Sequence, residues 1–355
     1  MQYHGNMFVF DGHNDALLSI HSPKRGKGRS FFEKSDIGHV DLPRAIEGGL
    51  LGGFFAMFVP TPSTSEGSKE AVTKTKDGYR MRMADPVEQG HAYKITNQMI
   101  DLFDELLTAS EGKFRAIRGT EDLAPVGEGD VVHALLHIEG AEAIDEDLAA
   151  LDHFYERGVR SIGPVWSRQN AFGTGVPFRF PGSPDIGPGL TDAGKRLVRA
   201  CNERGIVVDL SHLNEQGFWD VARHTDRPLV VSHAAAHALI PFTRNLTDQQ
   251  IDAVGESGGI IGMNFYVGGM REDGKNEPDT PIAELIRHIT HMVDRIGINH
   301  VGLGSDFDGA VVPLEVSDAS KLPNVVTALR EAGYGKDDIA KLCHGNWLRV
   351  LKETL

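Results

Sequence analysis

The chain has 355 residues, 40% of them hydrophobic and 24% charged, with a formal net charge of −14. That is enough apolar material for a large soluble core, and the acidic balance argues against a nucleic-acid partner or an anionic membrane surface. Two cysteines, Cys201 and Cys343, are too few for a disulfide framework. Each falls in a stretch that reads as a helix, where a buried free thiol is common. The first residues hold no basic leader followed by an apolar segment, and no apolar run of about 18 residues occurs anywhere. The expectation is a soluble, cytoplasmic protein with no membrane partner.

Taken in chain order, short apolar runs alternate with helical patterns. "MFVF" leads into "DGHND", which sets His13 and Asp15 two residues apart, the spacing that shares one face of a strand. "GFFAMFV" follows, then a loop-like insertion near 60–86 and the helical "DPVEQGHAYKITNQMIDLFDELLTA". "VVHALLHI" ends at Glu139, and "VRSIGPV" runs into Trp166 before a Gly/Pro-rich insertion at 171–190. The helix "TDAGKRLVRACNERG" has Thr191 as its N-cap and Gly205 past its end. "GIVVDLS" ends at His212, "PLVVSH" at His233, and "GIIGMNF" opens a third insertion at 267–281. "HVGLGSD" closes the series at Asp306, with Asp308 two residues on.

Continuous apolar strands separated by helices mean parallel strands covered on both faces. Eight such units predict a (β/α)8 barrel, in one domain over residues 1–355. The three insertions each follow a strand, so they rise from the C-terminal rim and can roof a site there.

Five strand ends carry His13 and Asp15, Glu139, His212, His233, and Asp306 with Asp308. Any one of them has a bland reading as a cap or a hydrogen-bonded rim residue. Together, buried without compensation, they would cost several kcal/mol per group, which a cation removes. Histidine and carboxylate ligands with a bridging carboxylate suit a two-metal hydrolytic site. Competing motifs fail on context. "GESGG" at 255 lies between a helix and a strand, the reverse of a nucleophile elbow. "HAAAH" lacks the glutamate of a zincin helix, so His237 reads as a supporting or structural residue.

The elements "DGHND", "HIEGAEAI", "GVR", "DLSH", "VSHAAAHAL", "RN", "MNFY" and "VGLGSDFDG", in that order along essentially the whole chain, resemble the membrane (renal) dipeptidase family of metallopeptidases. The resemblance implies a barrel with two zinc ions that hydrolyses dipeptides, often with a D-residue at the C-terminal position. It implies that His13 and Asp15 hold one zinc, His212 and His233 the other, and that Glu139 bridges them. Asp306 matches the carboxylate that handles the water proton, with Asp308 the alternative. Arg244 matches the residue that binds the substrate carboxylate, and Tyr266 a substrate-contacting tyrosine. One departure stands out: Trp166 occupies the place where the family commonly has a histidine near the scissile carbonyl. Trp166 either does a weaker version of that work through its N–H, is replaced in it by Arg168 or a zinc, or simply walls a changed pocket. Two other readings are a related amidohydrolase-like barrel, such as a lactonase or deaminase, and a metal-holding protein without catalysis. The first of these generally begins with His-x-His, which this chain lacks. A homodimer is the default assembly.

Overall fold

Each of the eight apolar runs becomes a parallel strand. They are β1 (Val9–Asn14), β2 (Leu50–Phe58), β3 (Val132–Glu139), β4 (Val159–Gly163), β5 (Val207–Val208), β6 (Val230–Ala234), β7 (Ile260–Asn264) and β8 (Val301–Gly304). The computed structural model describes residues 7–62, 72–123 and 130–355. Neighbours pair in sequence order, and β8 returns to β1 through Leu303 and Asp11. Between β5 and β6 the ladder thins to one bridge, Asp209 with Val230, beside the Leu210 N–H donating to Val230 O at 3.0 Å. The ring is a nearly closed (β/α)8 barrel. β5 is shorter than its apolar run because the Asp209 carboxylate takes the Ser232 N–H, at 2.8 Å, that a longer ladder would use.

Helices cover the outside. Asp192–Arg204 shows why they start and stop where they do: Thr191 Oγ1 accepts from the Gly194 N–H, and Gly205 ends the helix at φ 66°. Cys201 lies in this helix, and Cys343 in a π-helical turn, Lys341–Gly345; both thiols are buried and free. Inside the barrel, Phe10, Phe54, Leu135, Val207, Val230 and Ile260 pack around Trp347, which the C-terminal helix Asn346–Thr354 inserts. Trp347 Nε1 donates to Leu303 O at 2.9 Å. Only glycine fits beside it at Gly12 and Gly302, where a Cβ would lie 2.5 and 2.6 Å from the indole.

Above this plug the polar residues begin. Strand alternation puts Leu135, His137 and Glu139 on one face of β3, so the change from apolar to acidic happens over two steps. β1 and β6 depart from simple alternation: their pairing shifts register between Asp11 and Asn14 and between Val231 and Ala234. Such irregularities re-aim side chains, and they fall where His13 and His233 turn to the barrel mouth.

The insertions build the rim jointly. Val72–Lys74 and Tyr79–Met81 form an antiparallel hairpin from the first, and Arg179–Phe180 of the second pairs with it. Gly274 of the third packs on Phe180 so closely that a Cβ would lie 2.3 Å from the ring. Residues 63–71 of the first insertion lie outside the described residues.

One buried histidine ties the outer layer to the loop after β6. His288, on the helix Ile282–Ile296, accepts the Ala236 N–H on Nδ1 at 3.0 Å, and burial, aided by Arg287, pulls its pKa from 6.5 to about 3. Between those values only the unfolded chain takes the proton, so stability present above 6.5 is lost as pH falls. His288→Gln should remove this term. Urea unfolding should show the stability advantage of the wild type over the variant shrinking by about 2 kcal/mol from pH 7 to pH 5; an unchanged gap would contradict the assignment.

Candidate metal centre and active site

Glu139 ends β3 at the centre of the mouth, and three imidazoles turn toward it. Glu139 Oε1 lies 2.9 Å from His212 Nε2, 3.7 Å from His13 Nε2 and 3.8 Å from His233 Nε2. His13 is still in β1, whereas Asp15 lies just beyond it as the residue before the helix Ala16–His21, with Oδ2 3.5 Å from His13 Nε2. Three overlapping donor sets result: His13, Asp15 and Glu139; Glu139, His212 and His233; and His13, His233 and Asp306. Within each, the ligand atoms lie within 4.8 Å of one another. All the sequence-predicted metal residues therefore meet at one place.

The surrounding network orients the rings. Asp209 Oδ1 accepts from Ser211 Oγ at 2.7 Å and from the Ser232 N–H, while Oδ2 accepts from Ser232 Oγ at 2.6 Å. Since the Ser232 hydroxyl proton goes to Asp209, the 2.8 Å contact between Ser232 Oγ and His233 Nδ1 requires an Nδ1–H donor. His233 thus presents a bare Nε2 lone pair to the mouth. His212 is held through Nδ1 by Ser167 Oγ at 2.9 Å. These serines and Asp209 were not among the expected site residues, although a serine precedes both histidines in "DLSH" and "VVSH".

Asp306 and Asp308 separate in role. Both sit at positive φ, 59° and 66°, a strained conformation for non-glycine residues, and their carboxylates take different partners. Asp308 accepts from Arg29 Nη2 and from the backbone N–H groups of His39 and Val40, which fixes it as a loop anchor. The Asp306 carboxylate accepts from Asn264 Nδ2 at 3.1 Å on Oδ2 and joins the donor cluster. Asn264 was also missed from the sequence. The Arg244 guanidinium donates to Ser211 O and lies 3.2 Å from His212 Nε2. Arg168 cannot stand in for the expected histidine: it is fully buried, bound to Glu142 at 2.7 Å and Val59 O at 2.8 Å. His237 binds Gly182 O and takes no part in the cluster. Ser257 caps a helix C-terminus ahead of β7, as its context implied.

Electrostatically the mouth crowds buried carboxylates against imidazoles. Burial alone would keep His13 neutral, yet Glu139, Asp15 and Asp306 lift its pKa to about 10. Burial raises Glu139 to about 8 and Asp306 above the usual carboxylate range. Burial, with Arg244 and the neighbouring histidines, keeps His212 and His233 well below theirs. Burial also lowers Arg244 to about 10. Among the described residues, His13 Nδ1 and Nε2 and Asp15 Oδ1 are buried with no hydrogen-bond partner. The Nε2 atoms of His212 and His233 stand 3.1 Å apart, a spacing two imidazoles adopt when they share one tetrahedral ion. Orphaned donors of the right chemistry fit divalent metal. The cluster floors a cavity of about 640 Å3 that Trp166, Arg244, Tyr266, Asp306 and the insertions line.

A family model described as membrane dipeptidase (peptidase family M19) matches residues 2–355. The chain belongs to this family. It is accordingly a metallodipeptidase, and the family implies a divalent metal, for which the clusters at the barrel mouth are suited. Among solved structures, a metallo peptidase from Rhodobacter sphaeroides, liganded with a phosphinate mimic of L-Ala-D-Ala, is 43% identical with a TM-score of 0.93, covering 99% of this chain and 100% of that one. The dipeptidase AC, also a metallo peptidase of family M19, is 43% identical with a TM-score of 0.90, covering 98% and 99%. Dipeptidase tcpJ of Claviceps purpurea is 28% identical over 97% of this chain and 76% of its own length. Among the described residues, no helix is long and apolar enough to cross a membrane.

The tautomer network gives a test. Asp209→Asn, which no longer compels the Ser232 hydroxyl to donate toward it, should weaken divalent-metal affinity about 10–100-fold in chelator competition. Unchanged affinity in a folded variant would show that Asp209 does not set the His233 ring.

Proposed function

We propose that this metallodipeptidase carries two zinc ions and cleaves dipeptides, including those with a D-residue at the C-terminus. The observation that carries the reading is the meeting of three donor sets with Asp306 and Arg244 on a single cavity. His13 and Asp15 would hold one ion, His212 and His233 the other, and Glu139 both. When bound, the ions supply Lewis acidity and make water acidic enough to attack at neutral pH.

The chain's own residues do the rest. Asp306 accepts the proton of the attacking water and returns it to the leaving amine, with Asn264 holding one carboxylate oxygen so that the other faces the reaction. Arg244 binds the substrate's free carboxylate by a paired, charge-assisted contact. Tyr266 bounds the cavity beside it; burial and its neighbour Tyr79 hold its phenol protonated, so it acts as a donor. The D-residue reading draws support from the Rhodobacter relative, whose ligand mimics L-Ala-D-Ala. Pairing of β8 with β1 supports one catalytic domain over residues 1–355, since both ends of the chain build the same barrel. Two buried free thiols support the cytoplasm as its compartment.

The test of this function is a panel of dipeptides of both stereochemistries, run before and after chelation and after zinc is restored. Release of amino acids that stops on chelation and returns with zinc is the expected result. Inactivity of protein with two metals bound would instead favour a binding protein. Asp306→Asn should keep its metal by elemental analysis while turnover falls about 10²–10⁴-fold; near-parent turnover would remove it from the mechanism. Arg244→Ala should raise KM about 10–100-fold for dipeptides with a free C-terminus. A carboxylate-blocked dipeptide should barely distinguish the two proteins, and a large difference there would contradict the role.

A further inference from the structure

One wall of the cavity is a run of aromatic rings contributed by five separate segments. Phe58 at the end of β2 meets Trp166 at 4.6 Å between ring centroids, and Trp166 meets Phe178 of the second insertion at 5.7 Å. Phe178 stacks on Phe242 at 6.2 Å, and Phe242 meets Tyr266 at 5.8 Å. All five line the cavity. Trp166, Phe178 and Tyr266 are only half-buried, so part of each side chain remains accessible. The same cavity also has a polar lining that includes Asp15, Asn264 and Asp306.

The arc is fixed from behind. The Arg168 guanidinium lies 5.4 Å from the Trp166 ring and 5.1 Å from that of Phe58, and is itself locked by Glu142 and Val59 O. A buried ion pair that serves no metal and faces no solvent is a costly device unless it positions something. Here it backs Trp166 and Phe58. Trp166 also stands beside His212, with ring centroids 5.8 Å apart, Arg244 approaches the same histidine at 3.2 Å, and all three line the one cavity. A substrate carboxylate taken by Arg244 would therefore set the residue that carries it against Trp166. The cavity, about 640 Å3, has room for far more than two methyl side chains.

We propose that the arc is a subsite for an aromatic or large apolar side chain on the C-terminal residue of the dipeptide, with Trp166 as its specificity-determining residue. The inference rests on the dipeptidase reading and on Arg244 as the carboxylate anchor. Rings gain both burial and edge or face contacts on such a wall, while alanine gains little.

The experiment compares kcat/KM for Ala-Ala, Ala-Phe and Phe-Ala, with L- and D-residues at the C-terminus, in the zinc-loaded wild type, Trp166→Ala, Trp166→Phe and Phe178→Ala. The wild type should prefer Ala-Phe to Ala-Ala by about tenfold or more, mainly through KM. Trp166→Ala and Phe178→Ala should collapse that ratio, Trp166→Phe should keep most of it, and Phe-Ala should respond to none of them. Because the ratio is read within each protein, partial loss of folded enzyme does not alter it. A wild-type preference left intact in both alanine variants, or a response confined to Phe-Ala, would overturn the subsite while leaving the dipeptidase standing. Failure of the wild type to cleave any dipeptide would overturn the dipeptidase reading and the subsite with it.

Discussion

Glu139 Oε1 faces three imidazole nitrogens within 3.8 Å, and all four residues are buried. The Nε2 atoms of His212 and His233 stand 3.1 Å apart beside Glu139, and among the described residues both ring nitrogens of His13 and Oδ1 of Asp15 are buried without hydrogen-bond partners. Such a cluster is unfavourable on its own, because buried polar groups need partners and buried charges need compensation. A divalent cation satisfies both needs. The rest of the mouth is organised around that requirement. Asp209 and the serines hold the His233 ring so that a lone pair faces inward, and Arg29 with two backbone amides withdraws Asp308 from the centre.

The barrel makes this crowding tolerable by separating it from the core. Trp347 and the inward residues of β1, β2, β3, β5, β6 and β7 fill the lower interior with an apolar plug beneath the polar layer. Asp11 links the layers: it accepts from the Ser305 N–H at 2.6 Å and Ser305 Oγ at 2.7 Å, and the Asp306 N–H donates to His13 O at 3.0 Å. The loop bearing Asp306 is thereby pinned to the strand bearing His13. Position at the site follows from the strand ends, as is general for this architecture.

Much of this was legible in the sequence because apolar runs ending in His, Asp or Glu are visible without coordinates. The strand count predicted the barrel, and His13, Asp15, Glu139, His212 and His233 were found from their places at strand ends. What was hidden has physical reasons. Alternation alone puts His13 out of step with Phe10 and Gly12, and only the register shifts in β1 and β6 bring both histidines to the mouth. The choice between Asp306 and Asp308 needed their backbone angles and the distant partner Arg29. Arg168 looked available in the sequence because nothing nearby announces Glu142 or Val59 O as its partners. The pairing of two insertions into one small sheet is likewise a tertiary event with no local signal.

The central claim is that two ions meet at Glu139, and elemental analysis of dialysed, active protein tests it most directly. The account predicts two equivalents of divalent metal, chiefly zinc, per chain, and one or fewer in Glu139→Gln. Active protein without divalent metal, or a Glu139→Gln protein retaining both equivalents, would contradict it.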